Sequence, residues 1–146
     1  MIVVNDLKQW IDCALDDVKS SKEAKSYIAN VLSQHSLNDC SLVLKFCDAK
    51  ASGKFHLFQE IGDYVLFVNS LFATQHRDVH LTLARLSYYS CYRILQKQWP
   101  LYEELADQLP AYTKQIKNAL YEEKESEEKN KVHSWRFGNN ISFYRS

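Results

Sequence analysis

Glycine and proline are scarce in this chain, three and two respectively in 146 residues. A sheet joined by many tight turns needs them at its corners, whereas a few long helices on short loops do not. Charge of one sign is also missing. Eighteen basic residues balance eighteen acidic ones, so the molecule as a whole has no electrostatic pull towards nucleic acid or anionic lipid. No apolar run reaches the ~18 residues of a membrane-spanning helix, and Met-Ile-Val-Val-Asn-Asp at the N-terminus is too short and lacks the basic flank of a secretory signal. A cytoplasmic location is the expectation. The four cysteines, Cys13, Cys40, Cys47 and Cys91, include no Cys-x-x-Cys pair, which disfavours a zinc knuckle or a disulfide-stapled scaffold. They read as buried free thiols.

What is present is helical periodicity. A chain this long buries roughly 70% of the surface exposed by its unfolded form, enough for one ordinary core. Leu7, Trp10, Ile11, Ala14, Leu15 and Val18 recur at helical spacing behind Asn5, a candidate N-cap. Ser20 and Glu23 have the spacing of a capping box ahead of a second stripe, Ala24, Tyr27, Ile28, Val31 and Leu32. The short run from Leu42 to Ala49 admits helix or strand, and helix is preferred because Lys45 and Asp48 leave a polar side and Gly53 suits a helix end. Residues 54–73 are apolar over most of a helical circumference, which marks a central helix. A further helix is expected over 78–99, with Asp78 as its cap and an end or kink at Pro100, and another from Leu101 to a break at Pro110. Beyond that, Tyr112, Ile116, Ala119 and Leu120 make a last stripe.

The expectation is an all-α single domain of six or seven helices, orthogonal or bundle-like, over residues 1–121. Apart from Ser126 and Asn130, residues 122–131 are all charged and read as a linker or a helix extension. The segment 132–146 places Trp135, Phe137, Ile141, Phe143 and Tyr144 around Gly138-Asn139-Asn140, the residue types of a short β-hairpin. With Arg136 and Arg145 among them, these aromatics match the composition of interface cores. The segment reads as a docking arm, carried by the charged stretch onto a second copy of the chain in a homodimer or onto another protein; the structural alternative is that it folds back onto its own domain.

Two charges stand in strongly apolar helices, Asp63 and Arg85. A buried charge needs a partner, so Asp63 is expected to meet Arg85 or Arg93, with hydroxyls of Tyr64, Tyr88, Tyr89 and Tyr92 completing the network. Functionally, Asp63, Arg85, Tyr88, Tyr89, Tyr92 and Arg93 would form a polar pocket for a small ligand or an enzymatic reaction; structurally, they would form an internal ion pair. His76 and His80 have the i, i+4 spacing of metal ligands, but a cap at Asp78 would leave His76 outside the helix, and no metal site is assigned. Cys91 has no histidine placed beside it as a base. Gly62 and Gly138 lack a phosphate-cradling pattern, and Gly62 reads as a point of close helix approach. A helix-turn-helix over 20–51 would present mainly Lys45 and Lys50 to a groove, too little for nucleic-acid recognition. No catalytic residue or cofactor is assigned.

Ile-Gly-Asp-Tyr-Val-Leu-Phe, Leu-Ser-Tyr-Tyr-Ser-Cys-Tyr-Arg and Gln-Trp-Pro-Leu-Tyr-Glu-Glu-Leu-Ala-Asp, all within 58–110, resemble a group of small helical bacterial proteins that includes products of integron gene cassettes. The resemblance covers about a third of the chain. It implies a helical fold and a bacterial accessory role, with no established activity and no site residues. The expected function is therefore a non-catalytic, self-associating protein-interaction module.

Overall fold

A computed structural model describes residues 4–34, 41–72 and 78–130, with the side chains of 6–34, 41–72 and 79–122. Six helices occupy them: α1 (Val4–Ala14), α2 (Lys22–Gln34), α3 (Leu42–Ser52), α4 (Phe55–Leu71), α5 (Asp78–Ile94) and α6 (Pro100–Asn130). There is no strand among the described residues, so the all-α expectation holds, while the hairpin signal at 132–146 lies outside them. No helix among the described residues is long and apolar enough to cross a membrane.

The widest apolar helix is central, as its composition demands. α4 packs against α2, α3, α5 and α6, and Phe58, Ile61, Val65, Leu66, Phe67, Val68 and Leu71 are all buried along it. Leu105, Ala106, Leu109 and Ile116 of α6, Ala84, Tyr88 and Cys91 of α5, and Ile28 and Ala29 of α2 join them in one core, which Leu7 and Ile11 of α1 extend. Of the cysteines read as buried thiols, Cys91 is buried but Cys13 and Cys47 are exposed. Both fall on the outer sides of amphipathic helices, where helical position outweighs residue type.

The short third segment is a helix. Ser41 caps it, accepting from the Leu44 amide at 3.4 Å, and Gly53 closes it at φ 70° with its N–H on the Ala49 carbonyl. That positive φ is the left-handed conformation which only glycine adopts without strain. Asn5 is not a cap, because α1 already begins at Val4. Nor does Ser20 cap α2. Ser21 does so, its Oγ accepting from the Ala24 amide at 3.1 Å, and this one-residue shift takes Glu23 out of the capping-box position. The carboxylate that a capping box would supply comes instead from α6: Glu104 Oε2 accepts from the Ser21 amide at 2.8 Å.

α5 ends before Pro100, at Ile94. The Lys97 amide bonds back to the Tyr92 carbonyl and the Gln96 amide to that of Arg93, both at 2.9 Å, a C-terminal arrangement of the Schellman type. Gln96 and Lys97 take positive φ there, 58° and 60°. Pro100 then opens α6, at the helical position where a missing N–H costs nothing.

The expected break at Pro110 does not occur: α6 runs through it. Proline removes the N–H that would bond the carbonyl four residues earlier, that of Ala106. Arg85 replaces it, with Nε donating to the Ala106 carbonyl at 2.8 Å, and Thr113 Oγ1 adds bonds to the carbonyls of Leu109 and Pro110 at 3.0 and 3.2 Å. Arg85→Met should therefore destabilise the chain by about 1–2 kcal/mol, the cost of a buried acceptor left without a donor. Pro110→Ala restores the amide, so in that background the same substitution should cost about half as much or less. Urea unfolding of the four proteins in this cycle checks both values, and an undiminished cost in the Pro110→Ala background would mean that Arg85 acts in some other way.

Candidate functional site

Gln59 and Asp63 lie four residues apart on α4 and therefore share a face. Around them converge one tyrosine each from α2, α5 and α6. Tyr27 OH donates to Asp63 Oδ1 at 2.6 Å, and Tyr88 OH donates to the same oxygen at 2.8 Å. Gln59 Nε2 donates to the hydroxyls of Tyr27 and Tyr102, at 3.2 and 3.0 Å. The rings meet edge to face, Tyr27 with Tyr88 at 6.2 Å and with Tyr102 at 5.7 Å, the geometry favoured by aromatic quadrupoles.

Tyr88 reaches Asp63 only because residue 62 is glycine. A Cβ there would lie 2.5 Å from Tyr88 Cζ and 2.6 Å from Cε1, so the ring occupies the space of the missing side chain. Gly62 thus serves close approach, as its setting in an apolar helix suggests. The ring itself is fully buried.

Among the described residues, no cation pairs with the Asp63 carboxylate. Neither ion pair found among the described residues, Lys25 with Asp12 and Lys45 with Glu60, involves it. Burial pushes its pKa up to about 6; the hydroxyls of Tyr27 and Tyr88 work against that rise, and the nearby Glu60 charge adds to it. The same burial, with the Asp63 charge alongside, holds the Tyr27 and Tyr88 phenols far above their ordinary range. The Cys91 thiol is pushed up to about 12 by burial and then by Asp63, and its Sγ lies 3.8 Å from the Phe55 carbonyl. A thiol held this way stays protonated near neutrality.

The expected pairing of Asp63 with Arg85 or Arg93 is therefore corrected. Arg85 is engaged at Ala106, and the exposed Arg93 donates through Nη2 to Ser90 Oγ at 3.3 Å. Helical phase explains the outcome: Arg93 lies roughly 140° around α5 from Tyr88, on its other side. Of the candidate tyrosines only Tyr88 bonds Asp63; Tyr89 OH donates to Asp107 on α6, and Tyr92 packs partly buried on the core. Tyr27, Gln59 and Tyr102 were not singled out in the sequence. The spacing of Gln59 to Asp63 was the one local signal available. His80 lies in α5; His76 and the aromatics Trp135, Phe137, Ile141, Phe143 and Tyr144 fall outside the described residues.

A second polar assembly lies at the surface. An open cleft of about 480 Å³ lies between the α1–α2 connection and the start of α6, lined by Lys19, Ser21, Pro100, Glu103, Glu104 and Asp107 among others. Glu104 is tied down within it, accepting from the Tyr112 hydroxyl at 2.6 Å as well as from Ser21. Partial burial works against its charge, but the bonds from Tyr112 and Ser21 prevail and hold its pKa below the ordinary value. Beside the cleft, Trp99 Nε1 donates to Glu23 at 2.8 Å.

The chain matches no family model, no curated protein and no solved structure.

Proposed function

We propose that the chain is a non-catalytic helical interaction module that associates with a second copy of itself, working in the bacterial cytoplasm in an accessory role. The observation that carries this reading is an apolar line on the outer side of α5. Val79 is 50% exposed and Leu86 44%, and the partly buried Leu83 lies between them. Their four- and three-residue steps keep all three on one face, the spacing with which helices take up an apolar partner. The occupant proposed is the segment 132–146 of the second copy, whose Trp135, Phe137, Ile141, Phe143 and Tyr144 supply the complementary apolar surface.

The course of α6 supports delivery in trans. Tyr121 packs on the core, and the helix continues to Asn130 through a sequence without an apolar side chain. At ~1.5 Å per residue this sets Asn130 about 13 Å beyond Tyr121 along the helix. The competing reading, a ligand or enzymatic pocket around Asp63, is less favoured because two hydroxyls of the chain itself already occupy Oδ1.

Sedimentation equilibrium at micromolar concentration tests the proposal. The wild-type chain should be a dimer, and both Leu86→Glu and deletion of 132–146 should shift it to monomer with unchanged helix content. A monomeric wild type, or a dimer indifferent to both changes, overturns it.

A further inference from the structure

We propose that Asp63 is a proton-binding latch which couples the seating of α2 on the α4–α5–α6 core to pH. The geometry that points there is a carboxylate at the junction of these helices whose one engaged oxygen takes hydroxyls from two of them, Tyr27 of α2 and Tyr88 of α5. The groups facing it are Tyr27, Gln59, Glu60, Tyr88, Cys91 and Tyr102. None is a cation. Lys45 of α3 reaches Glu60 at 3.7 Å, Lys25 of α2 reaches Asp12, and Arg85 and Arg93 are engaged elsewhere. Among the described residues, two hydroxyl donors are thus what offsets the partial removal of this charge from water.

Protonation removes that cost and keeps the cluster intact. With the proton on Oδ2, Oδ1 still accepts from both tyrosines. Lifting α2 away would take Tyr27 off the carboxyl and open Asp63 to water, where its affinity for a proton returns to that of an ordinary aspartate. The seated state consequently binds the proton more tightly than the unseated one, and by linkage a proton favours seating. For an acid whose pKa is raised in the folded state, the contribution is fully present below the ordinary value of 3.8 and is lost as pH rises through about 6. Glu104, which ties the start of α2 to α6, has a lowered pKa and titrates with the opposite sign. The effect of Asp63 must therefore be read as a difference from Asp63→Asn.

Amide hydrogen exchange in the full chain, corrected for intrinsic rates, provides the test. Between pH 5 and pH 7.5, protection of the α2 amides from Ile28 to Leu32 should fall about tenfold more in the wild type than in Asp63→Asn, corresponding to roughly one pKa unit of linkage. An equal change in both proteins overturns the proposal. A carbon-13 titration of the Asp63 carboxyl serves as a check that does not depend on the variant folding. A midpoint near 6 that rises further in Tyr27→Phe, which loses a donor to the charged form, supports the latch; an ordinary aspartate midpoint, or one indifferent to Tyr27→Phe, overturns it.

Discussion

Gly62→Val should destabilise the chain by about 3–5 kcal/mol, combining overpacking of a filled site with a strained hydrogen bond to a charged group. The added Cβ would fall 2.5–2.8 Å from three atoms of the Tyr88 ring, and that ring is fully buried in the core. Moving it draws its hydroxyl off Asp63 and removes one of the two donors that make the partly buried charge tolerable. Steric cause and electrostatic consequence can be separated. In a Tyr88→Leu background the obstructing ring end is gone, so Gly62→Ala should change sign and stabilise by up to about 1 kcal/mol, the ordinary gain of alanine over glycine inside a helix. Denaturant unfolding of Gly62→Val and of both Gly62→Ala pairs measures this. Equal destabilisation by Gly62→Ala with and without Tyr88 would show that the glycine serves some other contact.

Much of this architecture was legible locally. The stripe through Phe58, Ile61, Val65 and Val68 specifies a central helix because its apolar width leaves no face for water, and Gly53 ends α3 through a backbone property of that residue alone. Features that depended on a distant partner were not legible. Pro110 argues for a break on any local reading, and α6 survives it because Arg85, on another helix, supplies the lost donor. Ser20 with Glu23 has the spacing of a capping box, yet the chain caps at Ser21 and draws its carboxylate from Glu104, 83 residues away.

The same limit governs the candidate site. Asp63 was identifiable as a charge that an apolar helix must accommodate, and Tyr88 as a hydroxyl within its reach. Arg85 stands out in the sequence as a second such charge, but its acceptor is not Asp63; it is a main-chain carbonyl that becomes available only where proline interrupts the bonding of α6. Tyr27 bonds Asp63 from 36 residues away and looks in the sequence like one more member of an apolar stripe. Periodicity locates a residue on its own helix; it does not specify the rotation of the neighbouring one. That rotation decides between a cation and a phenol as the partner of a partly buried carboxylate.

Glu104 marks where this dependence on distant partners should be most costly to disturb from the surface. Its Oε2 accepts from the Ser21 amide and the Tyr112 hydroxyl together, and Tyr112 is fully buried. Glu104→Leu should leave both donors without an acceptor and cost about 2–4 kcal/mol in urea unfolding at pH 7. Glu104→Gln keeps an acceptor of the same shape but loses the charge, so a smaller cost of about 1 kcal/mol is expected. The pH dependence separates this role from packing. Because the folded-state pKa of Glu104 lies below its ordinary value of 4.5, its contribution is present above that value and is lost as pH falls through the folded-state one. The stability gap between wild type and Glu104→Gln should therefore narrow on acidification below about pH 4.5, whereas that between wild type and Glu104→Leu should close only in part, since a protonated carboxyl still offers an acceptor oxygen. A gap to Glu104→Gln that stays constant from pH 7 to pH 3 would mean that the carboxylate charge does not hold α2 to α6.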